Sequence, residues 1–133
     1  MAYVRLDVLE TAQAVLREAG MPFVGLSMQD ARAFPDAVVV TPGTPLPGKR
    51  YFDGSGTSVL RLTVIVKRTD EEKGLRDAEE CSRALNRAGA MASRNGSYRL
   101  AGCEADRPRL LQLDPTGRYV WVLDCQVEYE DLN

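Results

Sequence analysis

Hydrophobic residues recur at two spacings along this chain, and each spacing predicts one type of secondary structure. In segment 118–131, RYVWVLDCQVEYED, apolar or aromatic residues occupy every second position. A period of two predicts a strand with one buried face. That face would carry Tyr119, Trp121, Leu123, Cys125, Val127 and Tyr129. Segment 59–68, VLRLTVIVKR, alternates in the same way, although Ile65 on its polar face indicates that this face is partly covered as well.

Two other segments repeat apolar residues every three or four positions, which predicts amphipathic helices. The first helix spans about residues 4–19 and ends before Gly20. The second spans about residues 70–93, with Thr69 or Asp70 as its N-cap. Acidic residues follow in its first turn, where negative charge is favourable because of the helix dipole.

The remaining predicted elements are strands. Residues 37–41, AVVVT, form a β-branched run that suits one buried strand, and about 107–130 form a C-terminal β-hairpin. The element order predicts an α+β fold: a mainly antiparallel sheet of four to five strands with two helices packed on one face. The length of 133 residues predicts a single domain covering 1–133.

A loop or arm rich in proline and glycine is predicted over about residues 42–56. Stretches of this length without regular structure are usually either functional or disordered. Its basic and aromatic cluster suits an interface anchor better than a flexible spacer. The cluster consists of Lys49, Arg50, Tyr51 and Phe52. The sequence leaves two alternatives open, a binding arm and the tip of a twisted β-hairpin.

Histidine is absent from the sequence, which excludes several kinds of chemistry. Ser-His-Asp and Cys-His catalysis and histidine-based metal sites all need an imidazole. The cysteines Cys81, Cys103 and Cys125 include no C-x-x-C pair, which is typical of reduced thiols. We therefore predict no catalytic residue, no cofactor and no metal site, and a protein that is not an enzyme.

The charges nearly balance, with 17 basic and 19 acidic side chains and a formal net charge of -2. The molecule as a whole is therefore not attracted to nucleic acid or to an anionic membrane. No segment approaches the ~20 apolar residues that span a bilayer, and the N-terminus lacks the apolar region of a signal peptide. We expect no membrane partner.

Four arginines are spaced along one side of the second predicted helix: Arg76, Arg83, Arg87 and Arg94. Such a stripe could face phosphates or form part of a subunit interface. The interface is favoured because glutamates stand between the arginines at i,i+4 spacing and no aromatic platform accompanies them. We therefore predict these arginines, together with the four residues 49–52, as protein-interface residues.

A strand VLRLTVIVKRTDEE leads into the helix LRDAEECSRALNRAG, and the chain closes with PRLLQLDPTGRYVWVLDCQVEYED. Over about residues 59–130, this layout resembles the tail terminator and minor capsid proteins of long-tailed bacteriophages, which act in tail completion and head-tail joining. The N-terminal helix also stands where the resemblance expects it.

The resemblance implies a structural virion protein without enzymatic activity. Its subunits would form a ring, usually a homo-hexamer, that caps the tail tube and stops its polymerisation. The implied partners are the tail tube protein and the head-tail connector protein, and DNA would only pass through the lumen. The implied location is the virion tail, after synthesis in the cytoplasm of a bacterial host, from a phage or a prophage.

Two other classes of function stay open. A small-molecule or RNA-binding α+β domain would expose strand aromatics such as Tyr119, Trp121 and Tyr129 for stacking, although the alternation favours their burial. A small enzyme could use carboxylate or thiol chemistry at Cys103 or Cys125. Such a thiol would need a helix N-terminus or a lysine neighbour to lower its pKa, and neither is visible in the sequence.

Overall fold

The computed structural model describes residues 6–21, 24–25, 37–43, 57–113 and 117–132. The predicted Lys49–Phe52 cluster lies outside these residues, as does nearly all of the proline- and glycine-rich segment. The described residues form two helices and six strands, which confirms the α+β prediction. In chain order they are α1 Val8–Glu18, β1 Val24–Gly25, β2 Ala37–Pro42, β3 Ser58–Arg68, α2 Glu71–Asn86, β4 Tyr98–Ala105, β5 Arg109–Leu113 and β6 Tyr119–Asp131.

The strands form one sheet in the order β1-β2-β3-β6-β4, with β5 also paired to β6. The short β1 runs parallel to β2, and the other described pairs are antiparallel. Strand β3 occupies one edge of β6, so β4 and β5 lie one after the other along its opposite edge. The backbone N–H of Asp106 donates to the carbonyl of Asp124 at 2.8 Å and bridges the gap between them. Within the segment predicted as a C-terminal hairpin, β5 and β6 pair antiparallel.

The alternation of apolar residues places one face of the sheet under both helices. The register sets Leu123 opposite Val64 and Trp121 opposite Val66, and side chains at alternate positions share a face. Residues of α1, α2, β2, β3 and β6 meet there in one hydrophobic cluster. Its buried members include Ala12, Leu16, Val38, Val40, Leu62, Val64, Ala78, Cys81, Leu85, Leu123, Cys125 and Val127.

The opposite face of the sheet is mixed. Around Ile65, the register places Val39 on one side and Val122 on the other, and both are buried. This confirms that the second face of β3 is partly covered. Further along the same face, Thr63 Oγ1 donates to Asp124 Oδ1 at 2.9 Å, so the surface becomes polar there.

Helix α2 begins as predicted but ends earlier. The carboxylate of Asp70 accepts from the backbone N–H of Lys73 at 3.2 Å, which confirms the N-cap. The predicted end near residue 93 is wrong, because the helix stops at Asn86. Arg87 takes an extended conformation and Gly89 has φ 75, where glycine is the favoured residue. The chain then turns back and buries Met91 completely.

The first turn of α2 packs very closely on β6. A Cβ atom at Gly74 would lie 2.7 Å from Nε1 of Trp121 and 3.4 Å from Cβ of Arg68. Real Cβ atoms do not approach other heavy atoms as closely as 2.7 Å, so glycine is needed for this contact. The packing explains how a helix can lie directly over the largest side chain of the sheet.

Candidate functional site

The four predicted interface arginines do not form one stripe. Arg76 and Arg83 lie on the exposed side of α2, Arg87 is its C-cap, and Arg94 lies in the loop beyond it. The prediction of four guanidinium groups along one helix is therefore wrong, because α2 ends too soon. The structure keeps Arg76 and Arg83 on a common surface. Arg83 also pairs with Glu80 at 3.2 Å, an i,i+3 contact on the exposed side.

Arg94 is bound within the subunit. Its two terminal nitrogens donate to the two carboxylate oxygens of Glu18, at 2.8 and 3.1 Å. This planar pairing suits the fork shape of a guanidinium group. The hydrogen bond from Arg94 lowers the pKa of Glu18. The contact joins the loop after α2 to the last turn of α1.

The buried carboxylate of Asp7 binds the same loop through hydrogen bonds. Its oxygens accept from the hydroxyl groups of Ser93, Ser97 and Thr11 at 2.7, 3.1 and 3.1 Å. They also accept from the backbone N–H groups of Arg94 and Asn95 at 2.9 and 3.2 Å. Burial alone would raise the pKa of Asp7, but these hydrogen bonds lower it overall. We call this cluster the Asp7 clasp, and we assign it a structural role.

An ion pair with a buried arginine holds the other end of α2. Arg68 is fully buried, and its Nε donates to Oδ2 of Asp77 at 2.8 Å. Its Nη1 donates to the carbonyls of Lys67 and Ala37, at 2.8 and 3.4 Å. One guanidinium group thus connects β2, β3 and α2. The sequence pattern suggested only that β3 ends in basic residues, and it gave no sign that the last of them is buried.

The exposed apolar surface of the described residues is concentrated on β5. Leu110 and Leu111 are 45% and 57% exposed, and the third large exposed apolar side chain is Leu132. β5 pairs with β6 alone among the described strands, so no described strand covers its outer edge. The β5–β6 register is irregular between Leu110 and Gln112, which leaves Leu111 at a bulge. We call residues 107–111 the β5 edge.

Arginines surround this apolar edge. Arg107 and Arg109 are exposed within it, and Arg109 lies 3.5 Å from the carboxylate of Asp124. A cavity of ≈ 480 Å³ separates the edge from α2, and it is lined in part by Arg83 and Arg107. Arginine is enriched in protein interfaces, whereas lysine and glutamate are depleted there. In the sequence, the adjacent pair Leu110-Leu111 indicates this exposed apolar surface. Neighbours in a regular strand face opposite sides, so the two leucines cannot both face the core.

The aromatic residues do not form a stacking platform. Trp121 is buried under α2, and Tyr119 and Tyr129 are half-buried against the same core. Tyr129 packs edge-on against Tyr98 with ring centroids 5.6 Å apart. The burial that the alternation predicts is therefore confirmed. Strand β6 does not expose the aromatic rings that an RNA-binding surface would need for stacking.

The cysteines occupy two different settings. Cys81 on α2 is fully buried, and burial raises its pKa to about 12. Cys103 on β4 and Cys125 on β6 are neighbours, with their Sγ atoms 3.4 Å apart. The described parts of the chain contain no group of three or more Cys, Asp or Glu residues placed to hold a metal ion.

A comparison with protein families gives a match over nearly the whole chain. The sequence model of the family described as "Bacteriophage tail terminator protein" matches residues 19–131. The chain belongs to the bacteriophage tail terminator family. The matched region of this tail terminator homologue contains α2 and all six strands. As a member of this family, the protein is a structural protein of phage type that associates with other virion components.

A solved structure supports the same fold. A chain in the structure titled "Virion of native gene transfer agent (GTA) particle" matches this tail terminator homologue with a TM-score of 0.63 and 18% sequence identity. The match covers 92% of this chain and 91% of that chain. The identity is low, so this likeness concerns the fold. A search of curated proteins gives no match. Neither described helix has the length and apolar character that a membrane span requires.

Proposed function

We propose that this tail terminator homologue is a single-domain subunit of a ring that caps the tail tube, stops its polymerisation and offers a docking surface to the head-tail connector. The ring is a homo-hexamer, and DNA passes through its lumen. The work is that of a structural protein and requires no catalysis and no cofactor. The protein is made in the host cytoplasm and functions in the virion tail. The observation that carries the proposal is the exposed β5 edge.

The two ends of the sheet support a head-to-tail contact. One end carries the β5 edge, with its exposed leucines and arginines, and the other carries the two-residue strand β1. Because the two ends differ, a contact of the β5 edge with another surface of the next subunit is heterologous. Heterologous contacts give a closed ring when the rotation between subunits closes. A stable interface of this kind buries about 1,600 Å² in total.

The arginines have separate places in this proposal. Arg83 on α2 lines the cavity beside the β5 edge, and in this proposal Arg76 and Arg83 belong to the same seam between subunits. Arg87 and Arg94 lie at the far end of α2, near the pair that Arg94 forms with Glu18, and they face a different neighbour. Lys49, Arg50, Tyr51 and Phe52 stay candidates for the contact arm toward the tube or the connector.

The β5 edge can be tested with a matched pair of variants. Leu111→Glu places a charge on the edge, and Leu132→Glu places the same charge on an equally exposed leucine outside it. Burying one leucine contributes about 1.5–3 kcal/mol, so its loss to a charge weakens assembly by at least about tenfold. Sedimentation velocity over a concentration series, with and without the tail tube protein of the same phage, measures the assembly.

The expected result is a ring for the wild type and for Leu132→Glu when tube protein is present, and monomer for Leu111→Glu under the same conditions. Wild-type protein that stays monomeric at millimolar concentration with tube protein present contradicts the ring. If Leu111→Glu assembles as well as the wild type, the placement of the seam at the β5 edge is contradicted. That result does not contradict the formation of a ring.

A further inference from the structure

The fold brings two cysteines together that are far apart in the sequence. Cys103 lies on β4 opposite Val127, and Cys125 lies on β6 opposite Ala105. The two cysteines are therefore diagonal neighbours on adjacent strands, with their side chains on the same face of the sheet. Their sulfur atoms are 3.4 Å apart. Neither residue has a role in the proposed ring contact.

The two thiols differ in access and in acidity. Cys103 is half-buried, whereas Cys125 is fully buried. The hydrogen bond with Cys125 lowers the pKa of Cys103, although burial acts in the opposite direction. The same bond and burial raise the pKa of Cys125. Because the thiolate is the reactive form of cysteine, Cys103 is the group that an external reagent meets first.

We propose that Cys103 and Cys125 form a reversible intramolecular disulfide by exchange with a low-molecular-weight disulfide. The Cys103 thiolate attacks one sulfur of the reagent, whose S–S bond breaks and releases one small thiolate. The Cys125 thiol passes its proton to the departing small sulfur as it attacks Sγ of Cys103, and the second small thiol leaves. Two electrons pass from the protein to the reagent, so two protein thiols become one disulfide and one small disulfide becomes two small thiols.

The bond requires a small movement of β4 relative to β6, because diagonal neighbours on adjacent strands are farther apart than the Cα atoms of most disulfides. A disulfide has an S–S length of ~2.0 Å, so the sulfurs must approach each other by about 1.4 Å. The β4–β6 register is irregular between Leu100 and Gly102, next to Cys103, where the backbone is less constrained than in a regular ladder. The bond would join the outer strand β4 covalently to β6. Thiols stay reduced in the cytosol and oxidise outside cells, so the bond forms after release of the protein from the cell.

The test uses the folded wild-type protein and oxidised glutathione. After incubation the protein is denatured, alkylated with iodoacetamide and weighed as an intact chain by mass spectrometry. The untreated protein is expected to take up three alkyl groups, one for each cysteine, and the treated protein one. Trypsin separates the cysteines into peptides 77–83, 100–109 and 119–133, and the second and third are expected to be linked.

Three results overturn the proposal in the wild type: three alkyl groups after treatment, a glutathione adduct that persists on Cys103, or a bond that involves Cys81 or a second chain. Single variants then test the order of the two steps. In the Cys125→Ser variant, the reaction is expected to stop after the first step, with glutathione attached to Cys103. The Cys103→Ser variant is expected not to react with oxidised glutathione.

Cys81→Ala is the matched control for these variants, and it is expected to form the disulfide like the wild type. Circular dichroism confirms that each variant is folded, and the wild-type peptide map decides the question if one of them is not. An adduct on Cys125 in the Cys103→Ser variant overturns the assignment of Cys103 as the first thiol to react. These readouts do not depend on ring formation, so the disulfide and the proposed function fail or succeed separately.

Discussion

Replacement of Asp7 by alanine tests whether one buried carboxylate holds the loop after α2. The residue is 9% exposed, and its two oxygens accept hydrogen bonds from three hydroxyl groups and two backbone N–H groups. Asp7→Ala removes every acceptor of the clasp at once. The donors of residues 93–97 then face a small apolar side chain.

The expected loss of stability follows from these contacts. A hydrogen bond to a charged group contributes about 1.5–3 kcal/mol, and buried donors left without a partner cost about 1–3 kcal/mol. The contributions are not additive, and water reaches part of the exposed loop. We therefore expect Asp7→Ala to lower the free energy of unfolding by about 3 kcal/mol. For a domain of this length, the melting temperature falls by roughly 10 °C.

The pH dependence gives a second, independent measurement. The hydrogen bonds lower the pKa of Asp7 in the folded protein below its ordinary value of 3.8. The unfolded chain therefore binds the proton more readily, and the stabilisation is fully present above pH values near 4. It is lost as the pH falls through the lower pKa of the folded state. The difference in stability between wild type and Asp7→Ala is expected to be constant near neutral pH and to shrink below pH ~4.

Urea unfolding followed by Trp121 fluorescence, at neutral pH and at several acidic pH values, measures both effects. Asp106→Ala is the control, because Asp106 is an exposed aspartate whose side chain is not part of the clasp. A free energy of unfolding for Asp7→Ala equal to that of Asp106→Ala at pH 7 would refute the structural role of the clasp. If the difference in free energy of unfolding between wild type and Asp7→Ala stays unchanged down to pH 3, the stabilisation does not depend on the charge of the Asp7 carboxylate, and that part of the reasoning is refuted.

Three further substitutions probe the packing of α2. Gly74→Ala is expected to destabilise the protein by about 1–2 kcal/mol in urea unfolding, because overpacking against Trp121 outweighs the gain in helix propensity; a more stable variant would contradict the close contact. Asp77→Ala is expected to cost about 3 kcal/mol by thermal unfolding, since it leaves the buried Arg68 charge without its carboxylate, and an unchanged melting temperature would argue against a buried ion pair. Arg94→Ala is expected to leave the urea midpoint almost unchanged, because exposed ion pairs stabilise little; a large shift would assign its pair a greater role.

The fold class could be predicted because each element carries its own periodic signal. The alternation in β6 was strong enough to identify the buried face, and the acidic start of α2 gave the N-cap at Asp70. The early end of α2 could not be predicted in the same way. Ala88 and Ala92 continue the apolar spacing, but small residues fit a turn as well as a helix, and both are exposed. The burial of Met91 after the turn decides where the helix stops.

The candidate sites depend on contacts across long sequence separations. The arginines were visible as a pattern, but whether they share a surface depended on the length of α2. The exposure of the β5 edge depends on which strand becomes the outer one, and several antiparallel orders satisfy the same alternation. The approach of Cys103 to Cys125 likewise needs the β4–β6 register.

The sequence by itself determined the element types, the buried face of the sheet, the absence of histidine chemistry and the resemblance to tail terminators, because these follow from local spacing, composition and layout. The tertiary structure decided which polar groups meet. The Asp7 clasp joins residues more than 80 positions apart, and Arg68 is buried because α2 lies over the end of β3. Burial and hydrogen bonding are properties of the packed chain, so residues that look alike in sequence, such as Arg68 and Arg76, take opposite environments in the fold.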